Sequence, residues 1–163
     1  MNHRHILTII ALTLGLAACM GKPTRPSQFY LLSPDPGQPV ASRATATTPL
    51  SIGLGPVTLP EIYDRPQIVT RTDDNQINLA QFERWGGDLN KDLTRTLARN
   101  LMSRLNTDSV ALYPWSGRYK PDFQVTIRFF RLDGQLDEAV TLDGVWRLLD
   151  GSRGCELAAH RFE

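Results

Sequence analysis

Hydrophobic residues recur at every fourth position between Leu89 and Leu105, and this spacing predicts a long amphipathic helix. The pair Gly86-Gly87 comes just before this pattern, and glycine is unfavourable inside a helix. We therefore expect the helix to begin near Asp88, with residues 82–85 forming a turn before it. Its leucine stripe is expected to pack against a sheet.

Short apolar runs and alternating apolar and polar positions predict β-strands on both sides of this helix. The strands before the helix are expected at residues 29–32, 51–60, 68–71 and 76–79. Those after it are expected at residues 110–113, 123–129, 140–148 and 157–162. Asp133-Gly134 and Asp150-Gly151 supply turn chemistry between the last strands. These patterns predict an α/β fold in which a long amphipathic helix packs on a mixed β-sheet.

The N-terminus begins with a different pattern, in which an apolar run from Ile6 to Leu16 follows Arg4. A membrane-spanning helix needs roughly 20 apolar residues, so this run has the length of a secretory signal instead. It ends in Leu16-Ala17-Ala18-Cys19, which matches the lipobox of bacterial lipoproteins. In a lipobox the cysteine thiol becomes a thioether to diacylglycerol before the signal is cleaved. Residues 1–18 are therefore predicted to be a lipoprotein signal peptide.

The division of the remaining chain follows from its composition. Residues 19–27 are short, polar and contain two prolines, as expected of a lipidated tether. Residues 28–163 form one predicted domain, with a flexible loop at about 34–49 that is rich in Pro, Ala, Ser and Thr. A triacylated Cys19 would hold this domain firmly on a bilayer, because two or more acyl chains give stable anchoring.

Charge and the few reactive side chains exclude several classes of function. The chain has 18 basic and 17 acidic side chains, and nucleic-acid binding normally requires a strongly basic surface. Only His160 lies after the signal peptide, so neither a histidine metal cluster nor a catalytic dyad can be assembled. Cys155 is left alone once Cys19 is acylated, and we expect it to be buried. No cofactor is expected besides the covalent acyl chains on Cys19.

The order of these segments resembles the PqiC family of auxiliary lipoproteins, which belong to ABC-linked, MCE-type lipid transport systems. The resemblance rests on FYLL at 29–32, IGLGPVTLPEIYDRPQIVTR at 52–71, LAQFERWGGDL at 79–89 and LYPW at 112–115. The segment from Gly55 to Arg71 is its most specific part, whereas a leucine stripe occurs in many families.

The resemblance implies a fold, a location and a partner. The implied fold is a mixed sheet covered by helices, similar to the anticodon-binding-like arrangement. Family members usually continue into a further amphipathic helix, and this sequence ends at Glu163 before such a helix. Met20 after the acylated cysteine is not the aspartate that retains lipoproteins in the inner membrane. The implied address is thus the periplasmic face of the outer membrane. The implied partner is a PqiB-like MCE protein, received by a homo-oligomeric ring of this lipoprotein.

Candidate contact residues for such a partner lie in two predicted loops. Tyr63 and Arg65 belong to the segment YDRP, and Trp115 follows LYP. Aromatic and arginine side chains are enriched among the residues that dominate protein interfaces. A structural role stays open for each of them, since Arg65 can be a solvated charge and Trp115 a ring at the sheet edge.

Two other classes of function remain open at this point. An envelope hydrolase would use paired carboxylates, Asp64 with Asp88 or Asp137-Glu138, or a nucleophile at Ser51 or Ser116. No serine-hydrolase motif accompanies these residues. A purely structural lipoprotein without a transport partner would have the same sequence features as a docking subunit. The favoured interpretation is a non-enzymatic docking subunit for lipid transport that supports envelope integrity.

Overall fold

The computed structural model of this chain describes residues 3, 24–35, 37, 50–73, 75–117, 119–135 and 139–163. Its elements, in chain order, are β1 (Gln28–Tyr30), β2 (Ile52–Thr58), a 3-10 turn (Glu61–Tyr63), β3 (Gln67–Arg71), β4 (Ile77–Trp85), α1 (Leu89–Leu105), β5 (Val110–Leu112), β6 (Phe123–Gly134), β7 (Val140–Asp150) and β8 (Glu156–Phe162). The predicted α/β fold, with strands and one long amphipathic helix, is confirmed.

The strands divide into two mixed sheets rather than one. The large sheet has the order β5-β2-β6-β7-β8, and the small sheet has the order β1-β4-β3. In the large sheet β2 runs parallel to β5 and β6, while β6, β7 and β8 are antiparallel neighbours. In the small sheet β4 pairs in parallel with β1 and antiparallel with β3.

The helix α1 begins and ends where local chemistry favours its ends. Asp88 is the N-cap, and its side chain accepts a hydrogen bond from the backbone N–H of Lys91 at 3.0 Å. This bond satisfies one of the first N–H groups, which have no partner inside the helix. Asn106 ends the helix in the left-handed conformation, at φ 48°, which asparagine tolerates. The predicted helix start near Asp88 is confirmed.

Two adjoining hydrophobic clusters hold the sheets and the helix together. In the first, Leu93 and Ala98 of α1 pack with residues of the large sheet, chiefly Leu54 and Phe129. The second joins the helix start to the small sheet through Leu89, Tyr63 and Val69. The two clusters share their flanking residues Leu32 and Leu59. The leucine stripe therefore faces the core from Leu89 to Leu101, as predicted, whereas Leu105 at its end is exposed.

Two local predictions are wrong, because strand pairing extends through both segments. Residues 82–85 form the end of β4 instead of a turn, because Arg84 and Trp85 pair with β1 and Trp85 donates a backbone hydrogen bond to Pro66 at 2.7 Å. Asp133-Gly134 lies inside the β6–β7 pairing instead of in a turn. By contrast, Asp150-Gly151 does begin the connection between β7 and β8.

Candidate functional site

Two open cavities flank the start of α1, and together we call them the helix-start crevice. The first, of about 390 Å³, lies between the segment Leu59–Asp64 and the helix residues Asp88–Lys91. The second, of about 400 Å³, lies between the bend at Gly55-Pro56, Tyr113 and the outer side of the helix. Asn90 and Lys91 line both cavities. The segment that carries the family resemblance thus forms one wall of this crevice.

The second cavity exists because β2 bends at Gly55. The pairing of β2 with β6 shifts register between Leu54 and Val57, and Gly55 has φ +122°. A side chain is strained at this φ, and a Cβ atom there would come within 2.7 Å of the Tyr113 Cβ. The side-chain amide of Gln124 donates to the Gly55 carbonyl at 2.8 Å and holds the bend in place.

A side-chain bridge spans the crevice between its two cavities. The Asn90 amide donates to the Val57 carbonyl at 3.1 Å and so ties the first turn of α1 to β2. Lys91 and Arg95 place positive charge on the helix side of the second cavity. Lys91 also forms an ion pair with the N-cap Asp88, with 3.1 Å between Nζ and Oδ2. Hydrogen bonds from the Lys91 backbone and side chain lower the pKa of Asp88.

Below the first cavity lies a buried charge cluster, formed by Asp133, Arg71, Arg131 and Tyr63. Asp133 is 3% exposed. Its carboxylate accepts hydrogen bonds from Arg71 at 2.9 Å, from Arg131 at 2.7 Å and from the Tyr63 hydroxyl at 2.9 Å. The Tyr63 hydroxyl also accepts from the backbone N–H of Leu132 at 3.1 Å. The cluster therefore joins β6 of the large sheet to β3 of the small sheet and to the 3-10 turn.

The electrostatics of this cluster keep Asp133 ionised. Burial alone would raise the pKa of Asp133, but the hydrogen bonds from Arg71, Arg131 and Tyr63 outweigh it and lower that pKa to about 2. Burial raises the pKa of Tyr63, so its hydroxyl keeps its proton and acts as a donor to the carboxylate. The hydrogen bond to Asp133 raises the pKa of Arg71.

The structure places the three predicted contact residues around the crevice in different environments. Tyr63 is 4% exposed and lines the inner wall of the first cavity. Arg65 follows the cavity residue Asp64 and is half-buried. Trp115 packs edge-on against Tyr113, which lines the second cavity, with 5.3 Å between the ring centroids. Of the three, only Tyr63 lines a cavity, and its side chain belongs to the interior. Arg65 and Trp115 each lie next to a lining residue, Asp64 for Arg65 and Tyr113 for Trp115.

The described residues of the hydrolase alternative do not form one site. Asp64 and Asp88 both line the first cavity, but Asp88 is engaged as the helix cap. Ser51 donates its hydroxyl to Asp122 at 2.8 Å. Ser116 is exposed in the loop after β5. Residues 137–138 lie outside the described residues.

Other sequence predictions concern the anchor, the thiol and metals. The lipobox Leu16-Ala17-Ala18-Cys19 and most of the 34–49 loop lie outside the described residues. The prediction that Cys155 is buried is wrong, because it is exposed where the β7–β8 turn leads into the edge strand β8.

Among the residues described, no three His, Cys, Asp or Glu side chains are grouped so that they could hold a metal ion. Nor does the described part of the chain contain a helix of the length and apolarity needed to cross a bilayer.

Sequence reasoning missed the charge cluster and both cavities. One signal for the cluster was present, since Arg131 and Asp133 are charges two positions apart at the end of a strongly apolar strand. Two residues of one strand that are two apart point to the same face, so an acid there can be paired locally. The partner Arg71 is 62 residues away in the chain, and only the packing of the two sheets brings it to Asp133.

Comparisons with known proteins identify the family. The model of the ABC-type transport auxiliary lipoprotein component family matches residues 30–163, and the chain belongs to this family. It is the PqiC-like family that the sequence resembles. The protein is therefore an auxiliary component of an ABC-type transport system.

Solved structures share the fold at low sequence identity. A protein described only as uncharacterized superposes with a TM-score of 0.65 and 22% identity, over 85% of this chain and 78% of that chain. A Xanthomonas campestris protein of the DUF330 family gives a TM-score of 0.63 and 17% identity, over 83% of this chain and 75% of that chain. A search of curated proteins finds no match.

Proposed function

We propose that this protein is an outer-membrane lipoprotein on the periplasmic face that serves as a non-enzymatic docking subunit of an MCE-type lipid transport system. The observation that carries the proposal is the family match over residues 30–163 of a chain whose N-terminus contains a lipobox at Cys19. The family makes the protein a transport auxiliary, and the lipobox supplies the anchor. In this proposal the covalent lipid on Cys19 is a membrane anchor, and the protein uses no cofactor.

The helix-start crevice is the surface we assign to the partner, a PqiB-like MCE protein. The segment most specific to the family forms its wall, Arg65 follows the lining residue Asp64, and Trp115 packs against the lining residue Tyr113. The buried Tyr63 supports this wall from inside, since its hydroxyl bonds to Asp133 and to the Leu132 backbone. A homo-oligomeric ring of such domains would present several copies of the crevice to one partner and so bind it more tightly by avidity. Through lipid transport, such a complex would support envelope integrity.

Photo-crosslinking in intact envelopes tests this assignment. A photoreactive phenylalanine derivative is placed at Arg65 or at Trp115, with the exposed Arg153 of the β7–β8 turn as the matched control position. Mass spectrometry of the products is expected to identify an MCE protein from the two crevice positions and not from Arg153. An MCE protein captured equally from all three positions would remove the crevice from the interface. Capture of none, from acylated protein in a cell that expresses the transport system, would contradict the docking role.

A binding comparison gives the same assignment a second test. The Arg65→Ala variant is expected to recover less MCE partner in a pull-down than wild type, while the Arg153→Ala variant is expected to recover as much as wild type. Equal recovery by Arg65→Ala would exclude this arginine from the contact. Turnover of lipid or peptidoglycan by the purified protein would contradict the non-enzymatic role.

A further inference from the structure

Two apolar side chains next to the tether are among the most exposed in the molecule. Phe29 and Leu31 are each 68% exposed. They are two positions apart in an extended segment, so both side chains point to the same side, while Tyr30 between them points to the other. The Tyr30 hydroxyl accordingly donates to the Gln28 side chain at 2.8 Å. We call Phe29 and Leu31 the tether patch.

The exposure of the tether patch is built into the fold. β1 pairs in parallel with β4 at the edge of the small sheet, with Phe29 opposite Arg84. The Gly86 N–H donates to the Tyr30 carbonyl at 2.8 Å, and the Leu32 N–H donates to the Asp92 carboxylate of α1 at 2.8 Å. The backbone on both sides of Leu31 is thus fixed, and the two apolar side chains are held outward.

The distance along the chain to the proposed lipid anchor is short. Phe29 lies ten residues after Cys19. A fully extended residue spans at most about 3.5 Å, so Phe29 stays within about 35 Å of an acylated Cys19, and Leu31 within about 42 Å. The chain between them contains Lys22 and Arg25 and no acidic residue. The Arg25 side chain is 61% exposed and lies 3.8 Å from the Glu83 carboxylate. A basic tether is attracted to a bilayer that contains anionic lipids.

We propose that the tether patch inserts into the headgroup region of the bilayer that carries the lipid anchor. This inference rests on the proposed acylation of Cys19. Acyl chains hold a domain near a membrane but leave it free to rotate about a flexible tether, whereas exposed aromatic and aliphatic side chains enter the interface and give it one orientation. The patch would then fix which side of the domain faces the periplasm, and hence how the helix-start crevice meets its partner.

A fluorescent label that reports its surroundings tests the proposal in the full acylated chain. In a Cys155→Ser background, Leu31→Cys is labelled with an environment-sensitive dye, and Leu157→Cys serves as the control. Leu157 is 50% exposed on the edge strand β8 of the large sheet, far along the chain from the tether. The proteins are reconstituted in vesicles of phosphatidylethanolamine and phosphatidylglycerol that contain a spin-labelled phosphatidylcholine. Mass spectrometry first verifies the acyl chains on Cys19.

The label at position 31 is expected to be at least about threefold less quenched by aqueous iodide than the label at position 157, because side chains inserted into the headgroup region are shielded from bulk water. The label at position 31 should also be quenched by the spin-labelled lipid. Adding the change Phe29→Ser should increase its quenching by iodide and decrease its quenching by the lipid.

Equal iodide quenching at both positions, in acylated protein, would contradict insertion of the tether patch without contradicting the lipid anchor. Protection from iodide without quenching by lipid would mean that protein, such as a second copy, covers the patch, and would overturn it as well. If mass spectrometry finds no acyl chains on Cys19, both the proposed lipid anchor and the proposed insertion of the tether patch are contradicted.

Discussion

Asp133 holds a full negative charge in a place that is 3% exposed. A buried charge of this kind is tolerated only when it is paired and hydrogen bonded, and three side chains from separate segments meet this need. Two of them, Arg131 and Tyr63, lie in the large sheet and the 3-10 turn, and the third, Arg71, lies in the small sheet. At the residue scale, this carboxylate is the group that links the two sheets.

The low pKa of Asp133 predicts a pH dependence of stability. Because its pKa falls from the ordinary 3.8 to about 2 on folding, the ionised form contributes stability that is complete above about pH 4 and is lost as the pH falls toward about 2. A shift of this size corresponds to about 2 kcal/mol in the free energy of unfolding. Asp133→Asn is expected to be less stable than wild type by about 3 kcal/mol at neutral pH, measured by urea unfolding, with the gap narrowing in acid.

The matched control is Asp143→Asn, which removes an ion pair of the large sheet. Asp143 pairs with Arg161, whose side chain is 69% exposed, at 3.0 Å. The Asp143 side chain is 16% exposed, but its cation lies in solvent, so the pair contributes about 1 kcal/mol or less and this variant should be destabilised much less than Asp133→Asn. If Asp133→Asn were equally mild, or if its deficit did not narrow below about pH 4, the carboxylate would not be the link described here.

At the element scale, the packing of the helix α1 depends on the residues of one helix face. Leu89, Leu93 and Ala98 are buried on the side toward the sheets, whereas Leu105 near the C-terminal end is exposed. The continuous leucine spacing along the sequence does not show this difference. Its cause is that α1 lies against β2 and β5 along most of its length, and its last turn extends toward solvent.

This difference predicts unequal effects of the same substitution along one stripe. Leu93→Ala leaves a cavity in the first core cluster and is expected to lower the free energy of unfolding by about 2 to 5 kcal/mol. Leu105→Ala removes a side chain that is 45% exposed and should cost about 1 kcal/mol or less. Thermal or urea unfolding of both variants measures the difference. Similar losses at the two positions would contradict the packing of α1.

At the scale of the whole molecule, the proposed function combines two features: the lipobox expected from the N-terminal sequence and a domain of two sheets with a crevice at the helix start. The domain belongs to a family of transport auxiliary lipoproteins. In the proposed arrangement the acyl chains, the tether patch and the crevice lie in succession from the membrane toward the partner. In this proposal the acyl chains would anchor the domain, the tether patch would orient it and the crevice would bind the partner.

Sorting of the lipoprotein gives a prediction for the complete chain. Met20 follows Cys19, the proposed acylation site. Met20→Asp introduces the residue that retains lipoproteins in the inner membrane, so the protein is expected to move to inner-membrane fractions on a density gradient. Met20→Ser serves as the control and should stay with the outer membrane. Cys19→Ala should abolish acylation, seen as loss of palmitate labelling. An unchanged position of Met20→Asp would contradict the proposed address.

The amino-acid sequence by itself determined the features that depend on neighbours along the chain. The spacing of leucines and the Gly86-Gly87 pair placed α1, alternation placed the long strands β6 and β7, and Asp150-Gly151 placed a turn. Only the tertiary structure decided the division into two sheets, the strand at residues 82–85 and the burial of Asp133. These features depend on pairing between residues that are far apart in sequence, and local spacing carries no information about which distant partner a strand or a carboxylate will meet.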